Sequence, residues 1–395
     1  MLQSSKRWWS IRKVFKRCRL ITPLEELSDV DVVVEDGRVS AVTRGAEGDA
    51  AVDCEGLTLA PGFVDTHIHG FKGVDFTLAE PEEILRSAEE LVARGVTSFL
   101  ASLVAAPREI LLKACAAVRE AAERWEPRRG ARILGVHLEG PFLNPNMKGA
   151  MDAAFFRKPS LEELEEYIRV SRGMVRQVTV APEVEGALDF VRAAASLGIT
   201  VSVGHTEATY DQAVAAVEAG ARKANHIFNQ MRGFHHREPG AAFALLGRPE
   251  VFVEVIADLV HLHPAVVRLV LELTGPERVA LVTDAVQAAG LPDGEYILGG
   301  LRIVVKDGVS RLAGTGVLAG STLTMDTAVR NVVKLGYRLR DALMMASYTP
   351  ARSISALGRD AVGLVDIGFN ADFVLLDENL RVRKTVVGGE VVYEA

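Results

Sequence analysis

Cysteine is scarce in this chain. Only Cys18, Cys54 and Cys115 stand among 395 residues, with no C-x-x-C spacing and an odd count, so neither a disulfide framework nor a thiolate metal site is indicated. Long apolar runs are missing too. No window approaches the ~18 uninterrupted apolar residues of a membrane span, and the N-terminus lacks the apolar core of a secretory signal. Nor is there an excess of positive charge. The formal net charge of −7 offers no footprint for nucleic acid or an anionic membrane. One local exception exists: residues 1–20 carry Lys6, Arg7, Arg12, Lys13, Lys16, Arg17 and Arg19 without an acid. A frayed terminus explains this more simply than a binding arm does. The chain therefore reads as cytoplasmic, with neither a nucleic-acid nor a membrane partner.

What the chain does have is alternation. Near each end lie short β-type runs. "DVVVEDGRVSAV" at 31–42 reads as a hairpin turning at Asp36-Gly37, and the C-terminal runs are broken by Asp377–Asn379 and Gly388-Gly389. Between them, apolar runs end near Asp65, Leu103, Val136, Val180, Val203, Ala224, Ile256 and Val282. Helical patterns separate most of these runs, several opening on Pro or after Ser/Thr and closing on Gly. Eight strand–helix repeats predict an α/β fold, a (β/α)8 TIM-like barrel. A doubly wound open sheet is the alternative, but no G-x-G-x-x-G follows the first strand. We place the barrel at 60–356, with 1–59 and 357–395 joining as a small β-sandwich domain.

Barrel enzymes do their chemistry at the C-terminal ends of the strands. In "APGFVDTHIHG" the first strand ends in His67 and His69, which share a face because side chains alternate along a strand. Glu139 ends the third strand, His205 the fifth, His226 the sixth and Asp284 the eighth. Together they point to a shared metal site. His137 lies on the face of Glu139 but one layer deeper, which suits a core or supporting residue better than a ligand. His235-His236 falls in a loop with at least one ring in water, and His263 precedes Pro264 at a helix start.

"PGFVDTHIHG", "GVHLEGPF", "GHTEATYDQA", "HREPG", "LVTDA" and "AGSTLTM" resemble the amidohydrolase superfamily, and within it the N-acetylglucosamine-6-phosphate deacetylases. The resemblance runs from "DGRVSAV" to "GFNADFVLLD". "HLEGPF" discriminates best, because related branches usually place a carboxylated lysine where this one has glutamate. The resemblance implies Glu139, His205 and His226 as metal ligands, with His67 and His69 as the pair that lets some members hold a second ion. One or two divalent cations are implied, and imidazole with carboxylate suits zinc or ferrous iron. Asp284 matches the general base and acid. Arg237 matches the phosphate arginine, which in some members reaches the neighbouring subunit's site, so a homodimer is expected. His261, Asn229 and Gln230 match further sugar-phosphate contacts, and Ala319, Gly320 and Ser321 would close over the sugar with their backbone.

Two positions depart from the family pattern. Met151 follows Lys148-Gly149-Ala150 where a histidine is usual, and Gln230 follows Asn229 where alanine is usual. Ala150 and Met151 are thus placed at the substrate. The implied activity is hydrolysis of the N-acetyl amide of a small amino-sugar phosphate, N-acetylglucosamine 6-phosphate, giving glucosamine 6-phosphate and acetate. The rival enzyme reading is the same metal centre acting on another N-acyl sugar or a cyclic amide. A non-catalytic binding barrel is the rival from outside enzymology, and the intact ligand set with Asp284 argues against it.

Overall fold

The computed structural model describes residues 12–395. Its centre is a parallel sheet of eight strands whose order follows the chain. They are β1 (Phe63–Ile68), β2 (Val96–Val104), β3 (Arg132–Glu139), β4 (Val175–Val180), β5 (Thr200–Val203), β6 (Lys223–Ala224), β7 (Phe252–Ile256) and β8 (Val279–Val282). All eight apolar runs of the sequence fall on these strands. They are buried on both faces, as parallel strands wrapped by helices must be. β8 and β1 meet through a few local bonds. Asp284 N–H donates to the His67 carbonyl (2.8 Å), and the Thr283 hydroxyl to the Asp65 carboxylate (2.6 Å).

The surrounding helices start and stop where the chain signals them. Ser160 caps the helix Leu161–Val170 by accepting from Glu163 N–H, and Thr209 with Gln212 forms a capping box for Tyr210–Ala219. No helix among the described residues is long and apolar enough to cross a membrane.

Strands from both ends of the chain join in one further sheet. Lys13–Ile21 is central, flanked by Glu26–Glu35 and by Thr58–Pro61, which pairs with Phe373–Leu376. Its core includes Phe15, Leu20, Val32, Leu59 and Phe373. Asp36 and Gly37 turn the first hairpin at φ 51° and 73°. The basic run is not a frayed end from Lys13 onward. Lys13–Ile21 is a paired strand, with Arg17 bonded to Asp53 and Glu55 and Lys13 to Glu390. The earlier basic residues, Lys6 and Arg7, lie outside the described residues.

An antiparallel meander that the sequence reading did not anticipate follows β8: Gly294–Leu298, Leu301–Lys306 and Val309–Leu312. Its Leu298, Ile303 and Val305 pack with Val104, Leu143 and Met151 over the C-terminal rim of the barrel. This apolar cover shields one side of the site described below.

Gly95, at φ 76°, ends the first barrel helix region and leads into β2. A Cβ there would lie 2.7 Å from the Phe63 ring and 3.0 Å from Val374, so strain in the left-handed region adds to a clash between barrel and terminal sheet. Gly95→Ala is expected to cost about 1–3 kcal/mol, read as a lower thermal midpoint. An unchanged midpoint would contradict this packing.

Candidate metal centre

Four imidazoles and two carboxylates converge at the rim, each from the end of a strand that the barrel closure brings round. His67 Nε2 lies 3.1 Å from His69 Nε2, the juxtaposition expected of alternate residues on one strand face. Glu139 sits at the centre. Its Oε1 is 3.3 Å from His67 Nε2, 3.3 Å from His205 Nε2 and 2.9 Å from His226 Nε2, and its Oε2 is 3.0 Å from His69 Nε2. Asp284 Oδ1 closes the ring at 3.1 Å from His69 Nε2. Two overlapping ligand groups result, His67/His69/Glu139 and Glu139/His205/His226, sharing the glutamate.

The donor set suits a divalent cation because His205 and His69 each hold a proton on the outward nitrogen, so the Nε2 that faces inward is the atom a cation can take in place of a proton. His205 Nδ1–H donates to the Met147 carbonyl (2.7 Å), and His69 Nδ1–H to the Ser102 carbonyl (3.2 Å). Each bond fixes the tautomer and leaves the Nε2 lone pair turned to the centre. His205 Nε2 is buried without a hydrogen-bond partner, the condition of a ligand atom rather than of a satisfied core histidine. His205, His226 and Asp284 have φ of 48°, 20° and 51°, conformations uncommon outside glycine that concentrate at functional sites.

Electrostatics follow from the same closeness. Burial alone would raise Glu139 and lower the imidazoles. The facing charges win, so Glu139 is held well below the usual carboxylate range and His69 is pushed up to about 9. Protons and a cation compete for the same lone pairs. His137 lies beneath, bonded to Ser102 (2.9 Å) and Thr179 (2.8 Å). Burial and the neighbouring His67 hold it far below its ordinary value, hence neutral.

A cavity opens over this cluster. Of the residues singled out in the sequence, Ala150, Met151, Asn229, Gln230, His261 and Gly320 line it with the metal-centre side chains. His261 donates Nδ1–H to Asp258 (2.7 Å). Ala319 and Ser321 do not line it, and their backbone amides are committed to Ser310 and Asp284 carbonyls. Arg237 stands on the exposed loop after β6, beside His236 (2.7 Å), away from its own chain's cavity. His235 and His236 are both exposed, and His263 caps a helix through Ala265 N–H.

Sequence reading missed the polar interior beneath the ligands. Asn225 donates to Glu139 Oε1 (2.7 Å), and Glu254 accepts from His67 Nδ1–H (2.9 Å). The signal was there: a glutamate within "VFVEVI" is out of place in a buried strand unless it has a partner.

The chain belongs to the amidohydrolase family, whose model matches residues 58–392. Within that family its relatives are amino-sugar phosphate deacetylases. It is 38% identical over 385 residues to the N-acetylglucosamine-6-phosphate deacetylase of Vibrio furnissii, covering 96% of this chain and 95% of that protein. Identity is also 38%, over 379 residues, to the N-acetylgalactosamine-6-phosphate deacetylase of Escherichia coli O157:H7, covering 96% and 98%. In three dimensions it resembles a mutant of the Mycobacterium smegmatis N-acetyl-D-glucosamine-6-phosphate deacetylase solved with N-acetyl-D-glucosamine-6-phosphate. That match has a TM-score of 0.90 at 38% identity and covers 97% of this chain and 99% of the other.

Glu139 belongs to both ligand groups, so its loss should empty both. Glu139→Ala is expected to retain little metal after gel filtration, measured by elemental analysis, because sites of this kind rest on about three protein ligands. Full metal content in a folded variant would refute the assignment.

Proposed function

We propose that this protein hydrolyses the N-acetyl amide of N-acetylglucosamine 6-phosphate, releasing glucosamine 6-phosphate and acetate. The observation that carries the reading is the five-ligand cluster with Asp284 at its edge, in a chain that aligns over nearly its full length with deacetylases of this substrate class. Glu139, His205 and His226 would hold one divalent cation and His67, His69 and Glu139 a second. Zinc and ferrous iron both suit imidazole and carboxylate. When bound, such a cation supplies Lewis-acid chemistry, bringing the ionisation of water from ~15.7 to ~7 and polarising a carbonyl.

The chain's own groups do the rest. Asp284 is the base that takes a proton from the attacking water. As the carbon–nitrogen bond breaks, the same carboxyl delivers that proton to the departing amine, so the sugar leaves as a neutral amine rather than an amide anion. The wall of Val104, Met151, Leu298 and Leu318 keeps bulk water from one side, which strengthens the charge interactions within. His261, Asn229 and Gln230 would orient the sugar phosphate. Arg237 would meet the phosphate of a second copy, since its loop is exposed beside Phe234 and Phe243, themselves 58% and 48% exposed. A homodimer and a cytoplasmic location belong to this reading, the latter on the phosphorylated substrate and the three unpaired cysteines.

The direct test is acetate release from N-acetylglucosamine 6-phosphate by metal-loaded protein, with the galacto epimer and other N-acyl sugars alongside. The relative that acts on the epimer makes that comparison necessary. Asp284→Asn should keep its metal and lose roughly 10²–10⁴-fold in kcat. A near-parental rate would make Asp284 a bystander.

Met151 offers no donor to a carbonyl oxygen gaining negative charge. Met151→His is expected to raise kcat/KM on N-acetylglucosamine 6-phosphate about tenfold or more at matched metal content, some 1.4 kcal/mol of barrier. An unchanged or lower value would show that methionine completes the pocket as it stands.

A further inference from the structure

Strand β7 contributes no ligand to the cluster, yet it carries a fully buried carboxylate in the barrel interior. Glu254 is 0% exposed and receives three hydrogen bonds and one ion pair. His67 Nδ1–H (2.9 Å) and His226 backbone N–H (3.1 Å) reach Oε2, while Lys223 Nζ (2.8 Å) and Gln177 Nε2 (3.1 Å) reach Oε1. Lys223 is likewise 0% exposed. Its remaining protons go to the Thr66 hydroxyl and the Gln177 carbonyl oxygen, each at 2.8 Å.

A buried ion pair is weak support for a fold. Apolar residues of similar volume stabilise as well or better, because two desolvated charges recover their hydration cost only with excellent geometry. Here the geometry is excellent and directed. The carboxylate fixes a ring that no backbone carbonyl holds: His69 and His205 donate to Ser102 and Met147 carbonyls and His226 Nδ1 is buried without a partner, whereas His67 donates to an anion. A carboxylate behind an imidazole fixes its tautomer and makes its far nitrogen a better electron-pair donor. That nitrogen, His67 Nε2, lies 3.1 Å from His69 Nε2 and 3.3 Å from Glu139 Oε1.

We propose that Glu254, balanced by Lys223, is a positioning residue that makes the His67/His69/Glu139 group a second cation site of its own. The inference rests on the metal-centre reading above. Glu254 touches neither cation nor substrate. It acts through His67, and Lys223 acts through Glu254 by supplying the charge that lets the carboxylate stay ionised away from water.

The experiment compares the parent with Glu254→Gln combined with Lys223→Met, which removes both charges together and leaves no lone buried ion. Both are titrated with zinc against a chromophoric chelator, and the bound zinc per chain is counted by elemental analysis. The parent should take two zinc ions. The double variant should keep the first at parental affinity and bind the second ten- to a hundredfold more weakly. Gly95→Ala, destabilised away from the centre, should keep both affinities.

Two equal affinities in parent and double variant overturn the proposal. So does an equal loss at both positions, which is the signature of a general structural role, or a parent that takes one zinc only. A parent that takes no zinc overturns the metal reading itself. Should the double variant fail to fold, long-range ¹H–¹⁵N spectra of the unmodified protein give the tautomer directly. In the zinc-loaded protein a proton on His67 Nδ1 upholds the proposal and an Nδ1 without a proton overturns it.

Discussion

Everything in this molecule turns on one buried carboxylate. Glu139 is 3% exposed with four imidazole nitrogens within 3.3 Å. Taking an ion out of water costs several kcal/mol, and only facing opposite charge or a cation offsets that. No local segment can supply four imidazoles to one carboxylate. They come from the ends of β1, β5 and β6, residues 67 to 226 in the chain, and only the closed barrel brings those ends together. The fold and the site are therefore a single constraint. The register that buries Val136 and Leu138 also lifts Glu139 to the rim, and a one-residue slip would turn it away from the centre.

Below the rim the barrel interior is unusually polar. Ser102, His137, Thr179 and Asn225 form one chain of hydrogen bonds leading up to Glu139. Thr66, Lys223, Gln177 and Glu254 form another leading up to His67. Such networks are costly when incomplete and rigid when complete. Rigidity is what a centre of closely spaced ligands requires, because catalytic side chains must be held to a fraction of an ångström. On the open side the demand differs. Leu298 and Met151 are apolar covers, and the polar residues Asn229, Gln230 and His261 sit on loops that can differ without disturbing the barrel.

How far the sequence reveals this depends on range. The eight strands are legible because each is a short apolar run between helix signals. His67 and His69 are legible because period two puts them on one face whatever the rest of the chain does. His205, His226 and Asp284 follow once the barrel is assumed, since each comes within two residues of a strand end. The helix after β8 is legible in "TLTMDTAVRNVVKLG" and forms over Met325–Lys334, but the meander at 294–312 that precedes it was missed although Gly299-Gly300 and Asp307-Gly308 mark its turns. Glu254 and Lys223 were missed for a different reason. Each looks out of place alone, and their meaning lies in a contact between β6 and β7 that spacing does not encode. Arg237, Ala319 and Ser321 sit where loop conformation, rather than periodicity, decides what a side chain or amide can reach.

The central claim is that these strand ends form one nitrogen- and oxygen-ligated cation centre. X-ray absorption at the zinc edge of the zinc-loaded protein reads that shell directly. The account predicts nitrogen and oxygen neighbours at about 2.0–2.2 Å, with the outer-shell scattering of imidazole rings. A sulfur shell near ~2.3 Å, or oxygen alone without imidazole scattering, would contradict it.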